Sequence, residues 1–208
     1  MKQLNHYIFE KLIINKDTGK KQQYNYFPET KEELKKLIIS LISERGNNCN
    51  LNDIDVSEID DMSSLFKWSK FNGDISQWDV SNVTNMEQMF LGSEFNGDIS
   101  EWDVSKVTKM FNMFGHSKFN NDISKWDVSN VISMQKMFLK SNFNGDISNW
   151  NINNVVDMYM MFYNSNYSQD LSKWEINRYK TRITDIFKGT PIARRKKMQP
   201  KYIIDFNI

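Results

Sequence analysis

The sequence predicts an α/β repeat fold: a solenoid of about six 24-residue units with a parallel sheet on one face, capped at its N-terminus by a hairpin and a helix. Three observations predict it. The stretch "FNGDISQWDVSNVTNMEQMF" at residues 71–90 returns as "FNGDISEWDVSKVTKMFNMF" at 95–114, and the same 24-residue step runs through the chain. Apolar residues alternate with polar ones in one half of each unit and recur at three- and four-residue steps in the other. Finally, a unit this short cannot bury its own Trp, Met and Phe, so neighbouring copies must share one core.

Taken in chain order, "YIFEKLIINKDTGKKQQYNYF" reads as a hairpin turning around "KDTG". "PETKEELKKLIISLISERG" reads as an amphipathic helix with Leu34, Leu37, Ile38, Leu41 and Ile42 inward and Gly46 at its C-cap. These make an N-terminal cap over residues 1–46, followed by repeats over 47–190 and a basic tail over 191–208. The register is carried by Trp78, Trp102, Trp126, Trp150 and Trp174, by Met62 through Met158, and by Phe66 through Phe162. Within a unit, Ile75, Trp78 and Val80 make I-x-x-W-x-V, the spacing of a leucine-rich repeat. Trp78 and Val80 should face one side of a strand, with Gln77, Asp79 and Ser81 on the other. Val83, Met86, Met89 and Phe90 then line one face of a helical turn. Gly73, Gly97 and Gly145, or Asn121 in their place, turn the chain back. The last copy, "ITDIFKGTP", slips by one residue.

The recurring "FNGDISxWDVSxVTxMxxMF" resembles the BspA-like leucine-rich repeat of bacterial surface antigens, also called the mycoplasma lipoprotein-associated repeat. The resemblance covers about residues 50–190. It implies a right-handed solenoid used in adhesion or protein binding, and it brings no catalytic residues.

Composition narrows the function classes. Of the 208 residues, 39% are hydrophobic and 25% charged, and the net charge is +1, so no global field selects nucleic acid or membrane. The charge is unevenly spread. Residues 51–100 hold ten acids against Lys67 and Lys70, a local charge of −8; residues 173–201 hold ten bases against Glu175 and Asp185, a local charge of +8. Cys49 is the single cysteine, which excludes an internal disulfide and a zinc knuckle. The first sixteen residues lack a secretory h-region, and no apolar run reaches membrane-spanning length. A cytoplasmic protein is expected. Richness in Asn, Lys and Ile points to an AT-rich bacterial or phage source.

Two kinds of column could carry a site. The Asp row Asp55, Asp79, Asp103 and Asp127 could bind cations or act as acid and base. The preferred reading is that each caps the turn that follows, as Asx residues habitually do. Drifting positions are more informative, because the conserved letters are scaffold. The strand column Asp53, Gln77, Glu101, Lys125, Asn149 and Lys173 passes from acid to base along the stack. Trp68, Phe111, Tyr159 and Met160 stand where other copies carry small or polar residues, and such residues anchor interfaces or fill gaps between turns. His6 and His116 sit in no catalytic motif, and no phosphate loop is present. The expectation is a non-catalytic module without cofactor or metal that docks on a partner protein. It would serve as a phage or prophage inhibitor of a host nucleic-acid-handling complex, for example an anti-CRISPR. Direct nucleic-acid contact is expected at most through the basic C-terminal end. The rival classes are a surface adhesin and a carbohydrate-active enzyme using the Asp row.

Overall fold

The computed structural model describes the backbone of residues 11–14 and 21–203, and the side chains of residues 24–202. Strand β1 (Lys11–Ile14) pairs antiparallel with β2 (Lys21–Tyr24), as the hairpin reading expects; its "KDTG" turn lies outside the described residues. Helix α1 (Lys31–Arg45) begins at Thr30, whose hydroxyl accepts the Glu33 N–H. The Glu33 carboxylate in turn accepts the N–H of Glu29, the residue before the cap, at 3.0 Å, which ties the entering chain to the first turn. The helix stops at Gly46, where φ is +87° and the N–H returns to the Ile42 carbonyl. Leu34, Leu37, Ile38 and Leu41 are buried and Ile42 is half-buried, the face the sequence pattern selects.

Beyond Gly46 each 24-residue copy lies directly against the next. Isolated parallel bridges link Asp61, Asn85, Lys109, Ser133, Asp157 and Arg182 in succession, one per copy. From there the chain runs as a ribbon. The N–H groups of Met62, Ser64, Phe66 and Trp68 donate to the carbonyls of Asn85, Glu87, Met89 and Leu91, at 2.7–3.0 Å. The intervening amides of Leu65, Lys67 and Ser69 close turns three residues back. To hold this alternation, Ser64, Trp68, Gln88, Asn112, His116, Lys136, Lys140, Met160, Asn164 and Asp185 take φ between 51° and 62°. The helical turn expected over this segment is therefore replaced by consecutive tight turns. Both conformations bury residues at three- and four-residue steps, but here half the amides bond to the neighbouring copy instead of their own helix.

The I-x-x-W-x-V segment keeps its alternation: Gln77 and Asp79 are exposed, Trp78 and Val80 buried. Yet residues 77–82 make no backbone-to-backbone hydrogen bond to another copy; the parallel pairing falls on the ribbon instead. At the tryptophans a side chain makes the link. Each indole N–H donates to a carbonyl of the preceding copy, Trp78 to Leu51, Trp102 to Ile75, Trp126 to Ile99, Trp150 to Ile123 and Trp174 to Ile147, at 2.9–3.2 Å. Phenylalanines stack between them, with Phe66, Phe90, Phe114, Phe138 and Phe162 at centroid spacings of 5.5–5.8 Å. The core is one continuous aromatic and methionine column from Tyr26 to Ile192.

The C-terminal end departs from the basic tail expected there. Two 3-10 turns (Pro191–Arg194 and Lys196–Met198) lead into β4 (Lys201–Ile203), which pairs parallel with β3 (Glu175–Asn177). Ile192 is fully buried, and the Leu171 N–H donates to the Met198 carbonyl at 2.8 Å. Residues 191–203 thus close the end of the stack, with their bases on its outside, because the last Trp and Phe need a cover as much as the first. The expected slip is present: Met134 bonds to Asp157, 23 residues on, whereas Met158 bonds to Arg182, 24 residues on.

Candidate interaction surface

The Asp row acts as turn caps. Asp79, Asp103 and Asp127 each accept the N–H of the serine two residues on at 3.0 Å, and Asp55 accepts both the N–H and the hydroxyl of Ser57. Asn151 makes the same bond to Asn153, so no charge is needed for the job. Asp79, Asp103 and Asp127 are exposed, but Asp55 is buried, and the four do not form one accessible row. The bonds from Ser129 hold the Asp127 carboxyl below the usual carboxylate range, and those from Ser124 do the same for Asp122. Among the described residues no group of three His, Cys, Asp or Glu side chains is placed to hold a metal ion, and Cys49 is buried.

The drifting strand column pairs with itself. Lys125 donates to Glu101 and Lys173 to Asn149, both at 3.0 Å, and Gln77 is exposed beside them. Asp53 leaves the column altogether: the Arg45 guanidinium holds it at 3.1 Å, anchoring the end of α1 on the first copy. Exposed pairs of this kind, screened by solvent, add little to stability.

The aromatic substitutions divide. Phe111, Tyr159 and Met160 are half-buried. Tyr159 lies under the Arg182 guanidinium at 4.0 Å, with the Lys136 ammonium 5.8 Å from its ring, and Arg182 also reaches Asp157 at 3.5 Å. Trp68 is 63% exposed, with φ of 56° and its ring 6.1 Å from that of His116.

Sequence reasoning missed a further group. Ile132 is 50% exposed and Val156 38%, in register on adjacent copies, where the Val156 N–H donates to the Ile132 carbonyl and Arg182 to Val156. The equivalent positions of earlier copies are Asp60, Thr84 and Thr108. Tyr179, 76% exposed, follows in the next copy, close by Lys180 and Arg178, and Arg178 lies 5.4 Å from the Tyr202 ring. The same comparison of copies that picks out Phe111 and Tyr159 would have found this column. Ile132, Val156, Arg182 and Tyr159 are linked in turn, by the backbone bonds from Val156 to Ile132 and from Arg182 to Val156 and by the Arg182–Tyr159 stack. They make a short apolar strip beside a base on the later copies, the composition of an interface core and rim.

No helix among the described residues is long and apolar enough to cross a membrane. The family model described as "Mycoplasma protein of unknown function, DUF285" matches residues 36–141 and again 95–199, and the chain belongs to this family. No curated protein and no solved structure matches the chain.

Proposed function

We propose that this family member is a non-catalytic protein-binding module: a right-handed solenoid of BspA-like leucine-rich-repeat type that docks through the strip on its later copies. The observation that carries the reading is the in-register pair Ile132 and Val156, exposed beside the Tyr159–Arg182 stack where the earlier copies carry one aspartate and two threonines. Exposing two β-branched side chains in register costs solubility without adding to the core, and threonine would serve the backbone equally well. The basic margin of Arg178, Lys180 and Arg182 selects a partner with an acidic rim. The test is capture of partners from cytosolic lysate with wild type, with Ile132→Thr/Val156→Thr, and with a charge-swapped Glu101, Lys125, Lys173 variant that leaves the Asp53–Arg45 anchor in place. Partners retained by wild type and by the charge-swapped form but lost by the threonine form support the strip. Identical partner sets for all three would remove it.

A further inference from the structure

Away from the apolar strip, Asn72, Asn96, Asn120 and Asn144 form a column on the turns that begin each copy. The Oδ1 of each accepts the backbone N–H of the residue 24 positions on, Asn96, Asn120, Asn144 and Ser168, at 2.7–2.8 Å. The bond decides which way each amide faces, since only its oxygen can accept. None of the four Nδ2 groups donates to another described residue, and Asn72, Asn96 and Asn120 are exposed while Asn144 is half-buried. Four amide donors thus stand in a row, one per copy, at a spacing of about 4.8 Å. An open cleft of about 730 Å³ follows the first part of this row, lined by Asn48, Lys70, Asn72, Glu94, Asn96 and Lys118 among others. No aromatic or aliphatic residue lines it. Glu94 and Lys118 are paired with each other, which leaves the amides and Lys70 to meet a ligand.

We infer that this cleft is a binding site for an extended oligosaccharide, whose hydroxyl and ring oxygens accept from the asparagine row. Register rules out the obvious competitor. Same-side carbonyls of an extended peptide recur every two residues, about 6.6–6.8 Å, and slip by roughly 2 Å per copy against donors about 4.8 Å apart. A pyranose chain carries hydroxyls along both edges of every ring, so each donor meets an acceptor without a matched repeat. A single-stranded nucleic acid would need stacking platforms and several unpaired bases, and the cleft supplies neither.

The site is independent of the docking strip, and its test keeps the two apart. The full chain, labelled with nitrogen-15, is titrated with a β-1,4-linked glucose hexamer and with a β-1,4-linked N-acetylglucosamine hexamer. Saturable shifts of the Asn72, Asn96, Asn120 and Asn144 side-chain amide signals are expected with at least one of them. The Asn96→Asp/Asn120→Asp variant keeps every oxygen acceptor of the ladder and loses two donor groups, so binding should weaken about tenfold or more. Ile132→Thr/Val156→Thr should bind sugar as wild type does. Side-chain amide signals that stay still with both hexamers at millimolar concentration overturn the inference. Undiminished binding by a folded Asn96→Asp/Asn120→Asp variant overturns it too. Should that variant lose its fold, the wild-type amide shifts decide alone.

Discussion

At Trp68 the backbone asks for something the residue type does not supply. Its column has positive φ in copy after copy, and Gly92 and Gly189 meet that demand at no steric cost. Trp68 adopts it regardless, and its indole lies so close over Gly92 that an added Cβ would fall 2.0 Å from a ring carbon. Gly92→Ala should therefore lift the ring and strain the backbone, at about 1–2 kcal/mol for the left-handed conformation. A red-shifted tryptophan emission and a lower urea midpoint would register it; an unchanged spectrum would show that the ring does not rest there. Trp126 poses the reverse case. Trp126→Phe keeps an aromatic in the stack but leaves the buried Ile99 carbonyl without its donor, at about 1–3 kcal/mol in chemical unfolding. The capping aspartates bear on pH. Bonds from the Ser124, Ser129 and Ser172 groups hold Asp122, Asp127 and Asp170 below the ordinary carboxylate range. The folded chain thus takes up these protons less readily than the unfolded chain. The stabilisation is complete above the unfolded value, near pH 4, and is lost as pH falls through the lowered folded values. The urea midpoint should be level above about pH 5 and fall below about pH 4. Asp127→Asn should keep the cap, as Asn151 does, and make that acid slope shallower.

Among the elements, α1 was legible almost to the residue. Its buried face and its stop, the Leu34–Leu41 stripe and Gly46, are set by neighbours within one or two turns, and so is the Thr30–Glu33 cap that the sequence reading did not single out. Thr30→Ala should cost about 1 kcal/mol, read as a lower thermal midpoint with an unchanged amplitude of helical circular dichroism. The ribbon was not legible, for a physical reason. Val83, Met86, Met89 and Phe90 are spaced as a helix would space them, and tight turns bury the same residues. What separates the two is the destination of the Met86, Gln88 and Phe90 amides, which bond to Lys109, Phe111 and Met113. Those partners are 23 residues away, beyond the reach of any local pattern. The strand reading failed in the same way. Alternation at Trp78 and Val80 correctly gives which side chains are buried, but carries no information on whether the backbone pairs there.

On the scale of the whole molecule, closure is shared between two unlike ends. Ile192 is fully buried although the composition around it, "RRKKMQPK", reads as a solvated tail. Ile192→Ala should cost about 2–5 kcal/mol, as for any large-to-small change in a packed core, whereas a loose tail would lose almost nothing. The proposed solenoid makes a stronger demand on the middle. Deleting residues 95–118 joins Glu94 to Phe119 in register, so the shortened chain should fold and unfold cooperatively with a smaller urea m-value. Collapse of that variant into an aggregated or molten form would count against quasi-one-dimensional stacking.

The sequence by itself determined the period, the buried columns, the helix stop at Gly46 and the one-residue slip. Each of these depends on the comparison of copies or on contacts close along the chain. Tertiary structure alone decided where the copies pair, since backbone amides are chemically alike and only three-dimensional proximity chooses their acceptors. It also decided that residues 191–203 form a cap, that Asp53 belongs to Arg45, and that Phe111 and Tyr159 are half-buried while Ile132 and Val156 are exposed. Burial is set by what lies across the stack from a side chain, and a one-dimensional string does not record it.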